Sequence, residues 1–195
     1  PASTAYLQAL RDIADEFNTL LIFDEVQCGM GRSGKLFAYE IANVTPDIMG
    51  LAKGIGGGFP VGAVLATEKA ASGMVPGTHG STYGGNPLAM AVANAVLDVM
   101  LEKGFLASVI KKGTKLKNEL VSLVEKHSSV LDSVRGVGLM LGIKSVGPNL
   151  ELMTALRESK LLTVVAGENV VRVLPPLNVS EEEILEGIQK IDQTC

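Results

Sequence analysis

Apolar residues in the first half of the chain recur with the periods typical of an α/β fold. Four apolar residues between positions 7 and 14 share one face of a helix that Ser3 or Thr4 can cap. The run 20–23 is apolar at every position, which predicts a short strand buried on both faces. Further apolar runs follow at 48–52 and 61–66. This order of strand, connection and strand predicts the βαβ unit of an open sheet.

The pattern changes after Pro87, where long helical segments begin. The expected elements are helices at 88–101, 105–124 and 150–159, a strand pair within 134–143, and strands at 161–165 and 170–174. A last helix is indicated by Ser180 with Glu183 three residues later, which forms a capping box. We therefore predict a domain change near residue 100, which divides the chain into 1–100 and 101–195.

Composition and charge exclude several classes of protein. With 195 residues, 47% of them hydrophobic and 19% charged, the chain has ample material for a packed core. A net charge of −4 without a Lys/Arg-rich block argues against nucleic acids and anionic membranes as partners. Two cysteines and two histidines argue against a disulfide framework or a metal site. No apolar run is long enough for a membrane helix, so we expect a cytoplasmic protein.

Two charged residues stand where apolar strands end. Asp24 follows the run 20–23 and Lys53 follows the run 48–52. They lie one βαβ unit apart, so both should reach the carboxyl edge of the sheet, where open α/β proteins bind ligands. Lys53 has apolar neighbours and little nearby charge to keep it protonated, which favours a nucleophilic amine. A nucleophilic lysine and an acid that can protonate a pyridine nitrogen are the pair required by pyridoxal phosphate chemistry.

Other polar groups suit the remaining parts of such a cofactor and its substrate. The chain has 22 glycines, and many of them cluster around Lys53 and between positions 77 and 85, where the lack of side chains would leave room for a cofactor close to the backbone. Ser81, Thr82 and the neighbouring glycine amides can donate to a phosphate. Arg172, in the apolar run 170–174, can bind a carboxylate with both arms of its guanidinium.

Each of these residues also has an ordinary structural explanation. Asp24 could cap a loop, Lys53 could be solvated, and residues 81–87 have the composition of a simple turn. Arg172 could pair with a glutamate of the last helix. Only the joint occurrence in this order favours a cofactor site.

A glycine motif at 29–34 matches the G-x-G-x-x-G pattern of dinucleotide-binding loops. Residues 24–28 separate it from the apolar strand, whereas the true motif follows its strand directly. The next strand also ends in Lys53, where a ribose-binding acid is expected. We therefore reject a dinucleotide site, and the glycines at 54–58 lack the Gly-Lys-Ser/Thr sequence of a P-loop.

The combined motifs resemble those of the class III pyridoxal-phosphate-dependent aminotransferases. The resemblance is carried by Asp-Glu-Val-Gln at 24–27, Gly-Met-Gly-Arg-Ser-Gly-Lys at 29–35, Thr-Pro-Asp-Ile at 45–48 and Leu-Ala-Lys-Gly at 51–54. It implies part of a fold type I large domain, similar to aspartate aminotransferase, followed by a C-terminal α+β small domain. Residues 78–89 and 161–184 narrow the resemblance to members that transfer the ω-amino group of N2-acetylornithine to 2-oxoglutarate, a step of arginine biosynthesis.

The resemblance also implies roles for residues of the cofactor site. Lys53 would hold pyridoxal 5'-phosphate as a Schiff base and later shuttle a proton. Asp24 would pair with the ring nitrogen, and Gln27 would bond the ring hydroxyl. Val26, two residues beyond Asp24 and so expected on the same strand face, would pack behind the ring.

Three more residues receive roles from the same resemblance. Thr82 would contact the phosphate of the other subunit's cofactor in a homodimer, and Ser81 would lie beside it near the substrate. Arg172 would bind a substrate carboxylate. Arg32 matches a family position to which we assign a structural role only.

Two alternatives stay open at this stage. The chain could belong to another class III enzyme, acting on succinylornithine, ornithine or 4-aminobutyrate. Because family members are about twice as long and the chain begins at Pro1, we expect a fragment that lacks the N-terminal half of the site. Such a fragment would be inactive by itself.

Overall fold

The computed structural model describes residues 1–195, which form seven α-helices and seven β-strands. In chain order these are α1 (Thr4–Glu16), β1 (Ile22–Asp24), α2 (Tyr39–Ala42), β2 (Ile48–Leu51), β3 (Ala63–Ala66), α3 (Glu68–Ala71), α4 (Pro87–Leu101), α5 (Phe105–Lys126), β4 (Leu131–Val137), β5 (Met140–Ser145), α6 (Asn149–Glu158), β6 (Val164–Ala166), β7 (Val170–Val173) and α7 (Glu181–Thr194). The long helices and the seven strands overlap the ranges predicted for them, although β4 begins at Leu131 and β6 spans 164–166 instead of 161–165, and the short helix α3 was not predicted. None of the helices combines the length and the apolar character that crossing a membrane requires.

The chain divides into two compact units, each described by itself below. The first unit comprises Ala2–Leu106, and the second comprises Ala107–Cys195 together with Pro1. The domain ranges 1–100 and 101–195 inferred from the sequence stay a prediction.

A three-stranded sheet in the order β1-β2-β3 forms the centre of the first unit. Strands β1 and β2 are parallel, and Asp24 lies opposite Gly50. Strand β3 runs antiparallel to β2, and residues 52–62 connect the two strands without a crossover α-helix. A single 3-10 turn, Lys53–Gly56, begins this connection.

The prediction that the first strand is buried on both faces is wrong for this chain. Ile22 is 62% exposed, and Asp24 is exposed as well. Ile22 and Asp24 share one face of β1, and nothing in this unit packs over that face, whereas Phe23 on the opposite face is half-buried.

An ion pair fixes α1 to the start of the sheet. The Asp47 carboxylate accepts from the Leu21 N–H and from Arg11 Nη1, both at 2.8 Å. The Leu21 N–H and the Arg11 guanidinium together lower the pKa of Asp47. Since Leu21 and Asp47 directly precede β1 and β2, this contact holds the beginnings of the two parallel strands together.

The second unit contains an antiparallel sheet in the order β4-β5-β7-β6 and the helices α6 and α7. The predicted capping box is present at the start of α7, where Ser180 and Glu183 bond each other's backbone N–H. Most of α5 belongs to this unit. Gly113 of α5 approaches the β4–β5 turn so closely that a Cβ on it would lie 2.5 Å from the Gly138 carbonyl oxygen.

Candidate active site

The parallel pair of strands brings Asp24 and Lys53 to the same edge of the sheet. Asp24 is the last residue of β1 and lies opposite Gly50, while Lys53 begins the turn that directly follows β2. Both side chains are exposed. A Cβ on Gly50 would meet no atom within 4 Å, so the strand leaves open space beside Asp24. The carboxyl edge thus offers an acid, a primary amine and room for a ligand.

Lys53 adopts a backbone conformation that non-glycine residues rarely take. Its φ is +48°, in the left-handed region, which costs about 1–2 kcal/mol for an L-residue with a Cβ. The conformation turns the chain sharply out of β2 into the 3-10 turn, where the Ile55 N–H donates to the Ala52 carbonyl at 3.2 Å. A strained residue at a ligand-binding edge is typical of functional sites.

Close packing against the unit's own core holds this turn in place. A Cβ on Gly54 would lie 3.0 Å from the Met30 Cβ, and one on Gly57 would lie 2.8 Å from a Val96 methyl group. Met30 is 3% exposed and belongs to the hydrophobic core of the unit. These glycines therefore allow protein atoms to approach, which corrects the expectation that the whole cluster leaves room for a cofactor. Gly58 does face open space, since a Cβ on it would meet nothing within 4 Å.

The expected desolvation of Lys53 is absent in this chain. Its neighbours Leu51 and Ile55 are buried, as the apolar sequence implies. Lys53 itself has a left-handed backbone conformation, and its side chain lies exposed to solvent. Apolar neighbours in the sequence therefore do not enclose the amine within this unit.

The Asp24 side chain also caps the turn that follows β1. Its Oδ1 accepts from the Val26 N–H at 2.9 Å, so the carboxylate closes a turn in place of further strand pairing. Val26 lies in this turn, and the expectation that it shares a strand face with Asp24 is wrong. The ordinary loop-capping role of Asp24 is thus present together with its position at the ligand edge.

Glu25 is a site-building residue that the sequence reasoning missed. It is 2% exposed, and its carboxylate accepts from the Ala38 N–H at 2.6 Å and the Tyr39 N–H at 2.8 Å. Burial raises the pKa of Glu25, while the two N–H donors oppose this shift. A Cβ on Gly29 would lie 2.8 Å from the Glu25 carbonyl oxygen, so the first glycine of the motif at 29–34 is needed to fit this residue. The sequence signal for Glu25 was an acid directly after Asp24, shortly before the glycine motif at 29–34.

The second motif glycine serves the same loop. Gly31 has a φ of +79° and donates its N–H to the Leu36 carbonyl at 3.1 Å. The glycine motif therefore builds a tightly turned loop of this unit. Arg32, to which the resemblance assigns only a structural role, lies in this loop, and burial lowers its pKa.

The segment that contains Ser81 and Thr82 lies on the surface of the first unit. Both residues are exposed, and Tyr83 is 82% exposed. Ser81 Oγ accepts from the Gly84 N–H at 2.9 Å, so this glycine amide is occupied within a turn. Asn86 then caps α4 by accepting from the Ala89 N–H at 2.9 Å.

Gln27 and Arg172 complete the set of predicted residues. Gln27 is half-buried in the turn after β1. Arg172 lies on β7 of the second unit, opposite Gly142 of β5 and Val164 of β6, and is also half-buried.

The residues fit the chemistry of a pyridine aldehyde cofactor. The exposed Lys53 amine can bond an aldehyde, and the exposed Asp24 carboxylate can hold a proton on a ring nitrogen. The model of the aminotransferase class-III family matches residues 1–195, and the chain belongs to this family.

Relatives within the family carry more specific names. The chain is 57% identical over 194 residues to acetylornithine aminotransferase 1 of Bradyrhizobium diazoefficiens, covering 100% of this chain and 48% of that protein. It is 56% identical over 187 residues to the acetylornithine aminotransferase of Agrobacterium fabrum, covering 96% and 47%. The chain spans about half the length of the curated relatives it matches.

Solved structures of the same family have the same fold. The acetylornithine aminotransferase from Elizabethkingia anophelis matches with a TM-score of 0.91 and 38% identity, covering 98% of this chain and 51% of that one. The ornithine aminotransferase from Plasmodium yoelii matches with a TM-score of 0.91 and 36% identity, covering 98% and 52%. The predicted α/β class, part of a fold type I aminotransferase, is confirmed.

Proposed function

We propose that this chain is the part of a pyridoxal-phosphate-dependent aminotransferase that carries the lysine and the acid of the cofactor site. The proposed reaction transfers the ω-amino group of N2-acetylornithine to 2-oxoglutarate. The observation that supports it is the position of Asp24 and Lys53 at one carboxyl edge of a parallel strand pair, in a member of the class III family. The substrate is proposed from the relatives named acetylornithine aminotransferase.

Each residue has a defined task in this proposal. Pyridoxal phosphate, when bound, supplies an electron-withdrawing ring that stabilises negative charge on the substrate carbon. Lys53 Nζ would hold the cofactor through its aldehyde carbon and, once displaced by substrate, would move a proton from the substrate carbon to that aldehyde carbon. The Asp24 carboxylate holds the proton on the ring nitrogen. Gln27 donates to the ring hydroxyl, and Val26 contacts the ring from behind.

The remaining residues bind the ends of cofactor and substrate. Arg172 binds a substrate carboxylate with its planar pair of donors. We also propose a homodimer, in which Thr82 reaches the phosphate of the partner's cofactor and Ser81 lies close to the substrate. The exposure of residues 81–83 in this chain supports a contact made between subunits. The cytoplasmic location expected from the sequence stays a prediction.

The cofactor lysine is tested by chemical trapping in the intact protein that contains this chain. Borohydride reduction in the presence of pyridoxal phosphate should fix one pyridoxyl group on Lys53, identified by peptide mass spectrometry. Lys53→Ala should abolish both labelling and turnover, whereas Lys103→Ala, at another exposed lysine, should change neither. A pyridoxyl group on any other lysine would contradict the proposal.

A second candidate function is transamination by a class III enzyme that prefers a non-acylated donor. Structures of ornithine aminotransferases match this chain as closely as that of an acetylornithine aminotransferase. Initial rates with N2-acetylornithine, succinylornithine, ornithine and 4-aminobutyrate, each with 2-oxoglutarate, separate the two. We expect the highest kcat/KM with N2-acetylornithine, and a preference for free ornithine or 4-aminobutyrate would favour the second candidate.

A further inference from the structure

Two asparagines in the second unit hold the hairpin that carries Arg172. Asn169 lies in the turn between β6 and β7, and its side-chain Nδ2 donates to the Ser145 carbonyl at 2.6 Å and the Gly147 carbonyl at 2.7 Å. Its Oδ1 accepts from the Asn149 N–H at 2.8 Å. The amide thus joins the hairpin turn to the end of β5 and to the start of α6.

The Asn149 side chain in turn donates hydrogen bonds to the same hairpin. Its Nδ2 donates to the Ala166 carbonyl at 2.9 Å and to the Val170 carbonyl at 3.0 Å. These two residues are paired across β6 and β7. The Asn149 side chain therefore bridges the two strands at the closed end of the hairpin. One of its acceptors, Val170, lies two residues before Arg172.

Asn169 also suits two local features of the backbone, the start of α6 and the hairpin turn. Helix α6 has Pro148 at its N-cap position, which offers no side-chain bond, and Asn169 supplies the missing acceptor from another element. Asn169 itself has a φ of +62°, a left-handed conformation that asparagine tolerates better than most residues. Asparagine is thus suited to position 169 by both its backbone and its amide.

Apolar packing alone specifies the register of these strands weakly. Strand β6 has three residues, two of them exposed, and β7 has valine at every position except Arg172. A slip of one residue would bury a valine equally well and would move Arg172 to the other face of the sheet. Directional bonds at the end of the hairpin prevent such a slip.

We infer that Asn149 and Asn169 are positioning residues for Arg172, which fix its register and hence the face from which it binds a substrate carboxylate. This inference rests on the proposed function, because it assumes the carboxylate-binding role of Arg172. The asparagines act through Arg172 and contact neither substrate nor cofactor themselves in this assignment.

The test uses the intact enzyme and a double-mutant cycle. Asn169→Gly keeps access to the left-handed conformation and removes the amide. We expect KM for the carboxylate substrates to rise on the order of tenfold, with a smaller change in kcat and an unchanged cofactor absorbance spectrum. Asn149→Ala should act in the same direction and provides a second route if the first variant folds poorly. Asn118→Ala, at an exposed position of α5, serves as the matched control and should leave KM unchanged.

The Arg172→Ala background distinguishes positioning from a general structural role. There, Asn169→Gly should raise KM no further, since the residue it positions is gone. Additive effects, or equal losses of kcat and cofactor binding, would overturn the inference. If Arg172→Ala raises KM but neither asparagine variant does, the inference fails while the proposed function stands. If Arg172→Ala leaves KM unchanged, the carboxylate-binding assignment fails, and this inference fails with it.

Discussion

At the residue scale, Asp24 and Glu25 show how two adjacent acids take different tasks. Asp24 is exposed at the ligand edge, whereas Glu25 is buried and bonded to the N–H groups of Ala38 and Tyr39. A buried carboxylate is stable only when its oxygens find donors, which the start of α2 provides. Glu25 therefore shapes the loop that supports Lys53, because this loop carries Met30 against Gly54.

Replacing Glu25 by alanine should destabilise the protein by about 1–3 kcal/mol, because two half-buried N–H groups lose their acceptor. The measurement is the free energy of unfolding from urea titration of the purified protein. Glu16→Ala, an exposed acid at the end of α1, is the control and should change the free energy by less than about 0.5 kcal/mol. A Glu25 variant as stable as this control would show that the two bonds contribute nothing.

At the element scale, α5 and the β4–β5 hairpin meet at a pair of glycines. A Cβ on Gly113 would lie between 2.5 and 2.8 Å from three backbone atoms of Gly138. Backbone atoms cannot move aside as a flexible side chain can, so the helix would have to shift away from the sheet. Gly113 thus sets the distance between α5 and the hairpin.

Gly113→Ala tests this contact against helix propensity. Alanine favours a helix over glycine by about 1 kcal/mol, whereas overpacking costs about 1–3 kcal/mol. We expect the steric term to win and the urea midpoint to fall. Gly147→Ala is the matched control, since its Cβ would meet nothing within 4 Å, and it should be neutral or slightly stabilising. A more stable Gly113→Ala variant would mean that α5 relaxes at no cost.

At the scale of the whole molecule, the first unit has two open sheet edges. Strands β1 and β3 are both edge strands, and Val64 on β3 is 74% exposed. Open edges and exposed apolar side chains invite pairing with further strands. The chain spans about half the length of the curated relatives it matches.

We expect the 195-residue chain alone to show no transamination and to self-associate as its concentration rises. A chimera that joins it to the N-terminal half of the Bradyrhizobium diazoefficiens relative should regain turnover. Light scattering and a coupled assay with 2-oxoglutarate provide the two measurements. The same chimera with Lys53→Ala controls for background activity, and turnover by the isolated chain would contradict the expectation.

Local patterns in the sequence were sufficient to predict most elements and the place of the principal residues. The period of apolar residues locates helices such as α4, and the capping box at Ser180 marks the start of α7, because both depend on neighbours within a few residues. The order of strands and loops likewise brings Asp24 and Lys53 to one edge, since parallel strands end on the same side.

The tertiary structure alone decided which side chains are buried and what holds each loop. The exposure of Ile22 depends on what packs over its face of β1, and the left-handed turn that begins at Lys53 is packed against Met30. The Asn149–Asn169 contacts join residues twenty positions apart. Such contacts leave no periodic pattern, because burial and hydrogen bonding depend on what folding brings near. The sequence therefore determined which residues reach the edge of the sheet, and the fold determined their burial and their contacts.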